Sequence, residues 1–317
     1  MQGQLATVFG ASGFIGRNIV RELASRGVRV NAVCRDAERA KFLRPMGTVG
    51  QVTPMRADIT DPAAVARAVA GADAVINLVG ILYPSGRNTF EAVQATAPGT
   101  IARAAADAGA TALVHVSAIG ADPDSPSAYA RSKAAGESAV RAAFPAATIL
   151  RPSIVFGPDD SFFNRFAAMA QISPVLPLFG GGQTKFQPVY VDDVADAALA
   201  ALARADAAGG TYELGGPSVY TFRQLLELML VEIRRKRTLL PVPFWLASVQ
   251  AAVMELLPVP PVTRDQVELL KRDNVVAAGA RTLADLGVEA TPLEIILPTY
   301  MDKFRVGGRY AGGRAPA

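Results

Sequence analysis

The sequence predicts an α/β fold, a doubly wound parallel sheet with a smaller C-terminal α/β lobe, on three observations. As far as Ile154, short Val-, Ile- and Leu-rich runs alternate with longer Ala- and Arg-rich stretches of helical pattern, as parallel strands joined by crossover helices require. A glycine turn separates the first run from the first helical stretch. Beyond Arg151 the character changes, with Pro152, Gly157, Pro158, Pro174, Pro177 and Gly180-Gly181-Gly182 punctuating shorter elements.

In order, strands are expected at Leu5–Phe9, Val28–Cys34, Gln51–Arg56, Ala74–Val79, Leu113–Ser117 and Thr148–Arg151, with helices in the gaps. Arg17–Ser25 and Ala63–Ala70 are good helix formers. Asp61-Pro62 supplies a capping carboxylate and then a proline suited to the first helical position. The expected division is a dinucleotide-binding domain over 1–154, with some later segments packing back on it, a smaller substrate or docking lobe over 155–305, and a flexible tail over 306–317.

Composition narrows the chemistry. A chain of 317 residues buries roughly 75% of its extended surface, so it needs no disulfide or metal to stand. The single cysteine, Cys34, excludes an intrachain disulfide and a cysteine-based zinc site, and the single histidine, His115, argues against a metal centre and a Ser-His-Asp hydrolase. The net charge is +4, but the cations are mostly scattered and lack interleaved aromatic platforms, so nucleic acid is not indicated. No run of 18 apolar residues occurs; the longest apolar region, Leu239–Val262, is broken by five prolines and Glu255. Met1 leads almost directly into Leu5–Phe9 without a basic leader, which suggests a cytosolic or matrix-like location.

The turn Gly10-Ala11-Ser12-Gly13-Phe14-Ile15-Gly16 follows a strand and opens a helix, the context of a Rossmann-type dinucleotide site. Gly10 permits the tight turn, Gly13 lets a pyrophosphate approach the backbone, and Gly16 lets the helix pack closely. Free amides at the helix start then face the phosphates. After the second strand, an acidic residue would favour NAD(H) by accepting the ribose hydroxyls. Arg35 stands there instead and suits a 2'-phosphate, through charge-assisted bonds worth about 1.5 to 3 kcal/mol. NADP(H) is therefore preferred, with NAD(H) kept open by Asp36 one position on; Arg39 and Lys41 are weaker phosphate candidates. Asp58 and Ile59 end the third strand where adenine would lie, and Leu78, Val79 and Gly80 end the fourth beside the ribose.

With Tyr129-Ala130-Arg131-Ser132-Lys133 added to these motifs, the chain resembles an extended or atypical short-chain dehydrogenase/reductase. The resemblance implies that Tyr129 moves a proton while Lys133 binds the nicotinamide ribose and lowers the tyrosine pKa; residues four apart share a helix face. It also implies a hydroxyl near Ser117, but active relatives usually place a second or third Ser or Thr after this strand. Ser117-Ala118-Ile119-Gly120 leaves the hydroxyl one or two positions early, and turnover in doubt.

A more specific similarity rests on Ala72–Gly80, Leu150–Gly157, Gln187–Val194 and Tyr212–Pro217. These stretches resemble the nucleotide-binding accessory subunits of respiratory complex I and their alphaproteobacterial relatives, a group also linked to ubiquinone biosynthesis. That implies a held NADPH supporting assembly or stability of NADH:ubiquinone oxidoreductase, complex I subunits as partners, and a peripheral position on the cytoplasmic side of a bacterial inner membrane or the matrix side of a mitochondrial one. It puts Pro152 and Ser153 near the nicotinamide, and Asp192-Asp193-Val194 at the start of a helix tying the small lobe to the sheet. The alternative is an active NADP-dependent oxidoreductase or epimerase.

Finally, Arg234-Arg235-Lys236-Arg237 precedes an apolar segment whose Leu246, Val249, Val253 and Leu257 fall at helical spacing. Two readings stand: an amphipathic helix lying on an anionic membrane or a membrane subunit, and a core helix preceded by a solvated basic turn.

Overall fold

A computed structural model describes residues 3–258 and 260–308. The chain divides into two compact units, the first made of residues 1–152, 191–214 and 277–289, and the second of 153–190, 215–276 and 290–317. The tail expected over 306–317 lies outside the described residues from 309 onward.

The first unit carries a seven-stranded, all-parallel sheet. Its strands are β1 (Leu5–Phe9), β2 (Arg29–Cys34), β3 (Val52–Arg56), β4 (Ala74–Asn77), β5 (Ala112–Val116), β6 (Thr148–Pro152) and β11 (Thr211–Leu214), in the order β11-β6-β5-β4-β1-β2-β3. The order reverses between β1 and β4, and a doubly wound sheet opens its ligand crevice at the C-terminal ends of such a pair. Five helices belong to this unit: α1 (Phe14–Ser25), α2 (Pro62–Val69), α3 (Ala97–Asp107), α4 (Ala128–Ala143) and α6 (Val191–Ala203). Near-continuous apolar strands fit a sheet covered on both faces. Phe9, Val33, Val75, Leu113 and Ile149 pack on one face with Val65, Ile101 and Val140 of the helices, all buried. At about 1.5 to 3 kcal/mol per large apolar side chain, this layer is the unit's main support.

The expected strands are all present with small shifts at their ends. The fourth stops at Asn77 rather than Val79 because the Asn77 side chain turns forward to accept the Val79 amide at 3.1 Å, while Leu78 N–H still donates to Phe9 O at 3.0 Å. Asp61 caps α2 through Ala63 N–H at 2.9 Å, with Pro62 in the first turn. Strand β11 was not foreseen, since four residues, Thr211 to Leu214, show no pattern until β6 lies beside them. Asp192 and Asp193 occupy the first turn of α6, as their charge near a positive helix end favours; Asp192 also meets Arg21 of α1 at 2.7 Å.

The second unit contains β7 (Val155–Phe156), β8 (Val175–Phe179), β9 (Lys185–Phe186), β10 (Val189–Tyr190), β12 (Tyr220–Thr221) and β13 (Thr238–Val242), joined as three two-stranded sheets. Around them stand α5 (Phe163–Ile172), α7 (Phe222–Glu232), α8 (Phe244–Met254), α9 (Arg264–Leu269) and α10 (Leu293–Met301). Phe156, Phe163 and Phe222 with Leu225, Leu226 and Met229 form its core. Thr221 and Gln224 cap α7 reciprocally, which sets where that helix begins.

Helix α8 corrects the expected apolar stripe. Leu246 packs inward beside the buried Ala247 and Ala251, while Trp245, Val249 and Val253 face solvent at 57 to 70% exposure, with Leu256 and Leu257 exposed just beyond. Both faces of the helix are thus apolar, and the outward stripe starts at 245. The basic run is partly committed elsewhere. Arg235 Nε donates to Phe304 O at 3.1 Å and Arg237 Nε to Ala170 O at 2.8 Å, so these two guanidiniums also hold chain segments together.

Candidate dinucleotide site

The glycine turn lies at the C-terminal end of β1, beside the point where strand order reverses. Gly10 has φ +81°, a conformation only glycine adopts without strain, and Gly10 N–H donates to Val33 O at 3.0 Å. Gly13 N–H returns to Gly10 O at 3.0 Å and closes the loop. A methyl group at Gly16 would stand 2.2 Å from Gly10 O and 2.8 Å from Ala11 Cα, so helix α1 starts in direct contact with its own turn. Its N-cap, Gly13, offers no side-chain acceptor and the first turn holds no acid, leaving the amides of Phe14, Ile15 and Gly16 for an outside anion. Ser12 and Gly13 also accept the Arg17 guanidinium through their carbonyls at 3.5 and 3.3 Å, which brings a cation to the turn that sequence reading had passed over.

At the ends of β2 and β3, Arg35 follows β2 and is exposed. The three other candidates near it, Asp36, Arg39 and Lys41, have other work. Asp36 Oδ1 accepts the Glu38 and Arg39 amides, both at 3.1 Å, and its other oxygen meets Arg39 at 3.5 Å; Lys41 pairs with Glu38. Beyond β3, Asp58 Oδ1 accepts Thr60 N–H at 2.9 Å and Thr60 Oγ1–H at 2.7 Å. Those two bonds, with the charges of Arg35 and Arg87 behind them, hold the Asp58 carboxyl below the usual carboxylate range. Ile59 beside it packs half-buried on the sheet core.

At the opposite end, β4, β5 and α4 bring together Gly80, Asn77, His115, Ser117, Tyr129 and Lys133. Lys133 Nζ is buried, donates to Val116 O at 3.3 Å, and would lie 3.3 Å from a methyl group at Gly80. Desolvation pushes its pKa down to about 8, with Glu137 opposing. Its Nζ stands 5.9 Å from the centre of the Tyr129 ring, which packs edge-on against Phe90 at 6.0 Å. Gln94, in a π-helical turn before α3, accepts Ile81 N–H at 2.6 Å and donates to Ser132 Oγ at 2.9 Å, tying the loop after β4 to the Tyr-Lys helix. Nothing in the local sequence marked Gln94.

His115 is a packed residue of β5, only 1% exposed. Asn77 spends its oxygen on Val79, so its Nδ2 donates to His115 Nδ1 at 3.2 Å, which assigns the ring proton to Nε2. Burial, with Lys133 nearby, pushes the His115 pKa down to about 3, so the imidazole is neutral. His115 Nε2 and Ser117 Oγ are both buried and find no hydrogen-bond partner among the described residues. Ser117 is only 4% exposed, and the next two residues, Ala118 and Ile119, carry no hydroxyl. Pro152 ends β6 with its carbonyl accepting Ile119 N–H at 3.0 Å. Ser153 falls in the second unit, where its hydroxyl is held by Asn274 Oδ1 and O at 2.7 and 2.9 Å.

A seven-stranded parallel sheet with an uncapped glycine-turn helix at its switch point defines a dinucleotide-binding α/β protein. The chain belongs to the NAD dependent epimerase/dehydratase family, whose profile matches residues 6–215; this is the extended short-chain dehydrogenase/reductase group that the sequence resembles. Among its relatives, the mitochondrial NADH dehydrogenase [ubiquinone] 1 alpha subcomplex subunit 9 of Arabidopsis thaliana is 38% identical over 97% of this chain and 80% of its own length. The Mus musculus protein of the same name is 37% identical over 93% and 79%. A ceramide reductase of Caulobacter vibrioides is 35% identical over 65% of this chain and 62% of its own length. The fold matches a dTDP-glucose 4,6-dehydratase of Streptomyces venezuelae solved with NAD, at TM-score 0.72 and 22% identity over 94% of this chain and 96% of that one.

Proposed function

We propose that this chain is an NADP(H)-holding accessory or assembly subunit of respiratory complex I, the NADH:ubiquinone oxidoreductase, in which the dinucleotide is structural. The observation that carries the reading is the likeness, at 38% identity and over 97% of the chain, to a relative named as a subunit of that complex. The site suits the cofactor. The turn from Gly10 through Ser12 and Gly13 to Phe14, Ile15 and Gly16 receives the pyrophosphate, Arg35 the 2'-phosphate, Asp58 and Ile59 the adenine, and Leu78, Val79 and Gly80 the adenosine ribose. Tyr129 and Lys133 meet the nicotinamide ribose, with Ser117 behind them. Turnover is disfavoured because the Ser117 hydroxyl directly after β5 is buried and Ala118 and Ile119 supply no replacement to polarise a substrate carbonyl.

The test is to isolate the native protein from gently solubilised membranes and identify its bound nucleotide and its partners. Complex I subunits and about one NADP(H) per chain are expected. A free protein that cycles the cofactor with a metabolite, and loses that activity in Tyr129→Phe while still binding nucleotide, would replace this reading with an oxidoreductase. A deletion strain changed only in quinone content would replace it with a helper of ubiquinone synthesis.

The reading extends to a peripheral contact on the cytoplasmic or matrix side of the membrane, made by the outward face of α8. No helix among the described residues is long and apolar enough to cross a membrane. Trp245, Val249 and Val253 offer a shallow apolar stripe instead, with a tryptophan suited to the lipid interface. Changing all three to serine alters no buried residue and is expected to reduce co-sedimentation with anionic vesicles severalfold. Equal binding by both proteins, or none by the wild type, rejects the contact.

A further inference from the structure

We propose that Arg17, seated on the Phe42 ring, is a ligand of the cofactor's 2'-phosphate together with Arg35. The inference deepens the dinucleotide reading above and rests on it. Arg17 follows Gly16 in α1, and its side chain folds back toward the helix start, as long side chains on a helix do. Its Nε donates to Gly13 O at 3.3 Å and its Nη2 to Ser12 O at 3.5 Å. The centre of the guanidinium lies over the Phe42 ring, 5.4 Å from the ring centre. Phe42 belongs to a short 3-10 helix, Arg39–Met46, on the chain that continues from β2 past Arg35. The glycine turn is itself bonded to the end of β2, since Val33 O accepts the Gly10 and Ala11 amides at 3.0 and 3.3 Å. One guanidinium therefore spans from the turn to the segment that follows Arg35.

Donors, support and charge all suit a phosphate. A guanidinium carries more N–H donors than two carbonyls engage, and both of these contacts are longer than the roughly 2.7 to 3.2 Å of an ordinary N–H···O bond. A phosphate oxygen, whose charge-assisted bonds are about twice as strong as neutral ones, would win the group from either carbonyl. Phe42 is 45% exposed, and an aromatic platform holds the flat face of a guanidinium while leaving the donors on its edge. From Arg35 to Arg44 the chain carries Arg35, Arg39, Lys41 and Arg44 against Asp36 and Glu38, a net positive surround for a dianion. The pyrophosphate is already answered by the amides of Phe14, Ile15 and Gly16. The residues after the second strand distinguish a ribose hydroxyl from a 2'-phosphate, and Arg17 reaches that segment through Phe42.

Isothermal titration of the wild type, Arg17→Met and Phe42→Leu with NADPH and with NADH tests this. Methionine keeps an unbranched stem over the ring and removes the charge, whereas leucine keeps apolar bulk and removes the platform. Both side chains are partly exposed, so neither change opens the core. Arg17→Met is expected to weaken NADPH roughly ten-fold or more and leave NADH essentially unchanged. Phe42→Leu is expected to weaken NADPH roughly two- to five-fold, again sparing NADH. Equal weakening of both nucleotides by Arg17→Met overturns the assignment, because the guanidinium would then serve the pyrophosphate or the turn. Unchanged NADPH affinity in Arg17→Met overturns it outright, and a Phe42→Leu variant that matches the wild type rejects the aromatic seat. A wild type that binds NADH as tightly as NADPH removes this assignment and leaves the dinucleotide reading standing. A wild type that binds neither nucleotide removes both.

Discussion

Arg151→Met is expected to lower the melting temperature by roughly 6 to 20 °C. Arg151 leaves β6 and donates to both oxygens of Glu137 on α4, at 2.9 and 2.7 Å, while its Nη1 stands 3.6 Å from Glu213 on β11. Glu213 in turn accepts Ala277 N–H at 2.8 Å. One guanidinium thus joins a helix, two strands and a returning segment. The Glu137 and Glu213 side chains are only 7% and 12% exposed, so removing the cation strands two carboxylates away from water. Breaking a buried pair in this way costs about 3 to 5 kcal/mol, and each kcal/mol moves the midpoint of a unit this size by about 2 to 4 °C. Adding Glu137→Gln should recover part of the loss by discharging one stranded group. Thermal unfolding followed by circular dichroism reads both variants, and a shift of less than about 2 °C in the single variant would show that solvent compensates the carboxylates.

Gly16→Ala is expected to reduce dinucleotide affinity roughly 100-fold in a protein that still folds. The added carbon would meet Gly10 O at 2.2 Å and two Ala11 backbone atoms at 2.8 and 2.9 Å. No side chain can move aside to relieve such a clash. Either α1 or its turn must shift, and the turn is tied through Gly10 N–H to Val33 O. Overpacking of this kind costs about 1 to 3 kcal/mol in stability. The effect on binding comes through the helix-start amides, whose alignment on the phosphates is lost. Two forfeited charge-assisted bonds at about 1.5 kcal/mol each amount to roughly 100-fold in affinity. Titration with NADPH beside a thermal melt separates the two effects; undiminished affinity in a folded variant would place the nucleotide elsewhere on the chain.

Much of the first unit was legible before any coordinates. A strand, a glycine turn and a helix are read from consecutive residues, so Leu5 through Ser25 announce their own structure, and Asp61-Pro62 announces the start of α2. Tyr129 and Lys133 share a face because the helical repeat puts residues four apart together. Asp36 shows where such reading stops. Whether its carboxylate turns toward a ribose or caps the next turn depends on the course of the chain after β2, and here it accepts the Glu38 and Arg39 amides.

Ser117 is a sharper case. Its place directly after the fifth strand said that the hydroxyl stood one or two positions early, but its burial, at 4% exposure, is what removes it from solvent.

The outward face of α8 followed the same rule. Helical spacing identified an apolar segment correctly but selected Leu246, which packs inward, in place of Trp245, which does not. From sequence alone, then, came the α/β class, the dinucleotide turn, the Tyr-Lys pair and the preference for a cation after the second strand, all written in residues a few positions apart. The seventh strand, the burial of Ser117 and His115 and the Arg151 junction needed the folded chain. Each depends on groups tens of residues apart in sequence, whose pairing is chosen by packing and desolvation and not by local pattern.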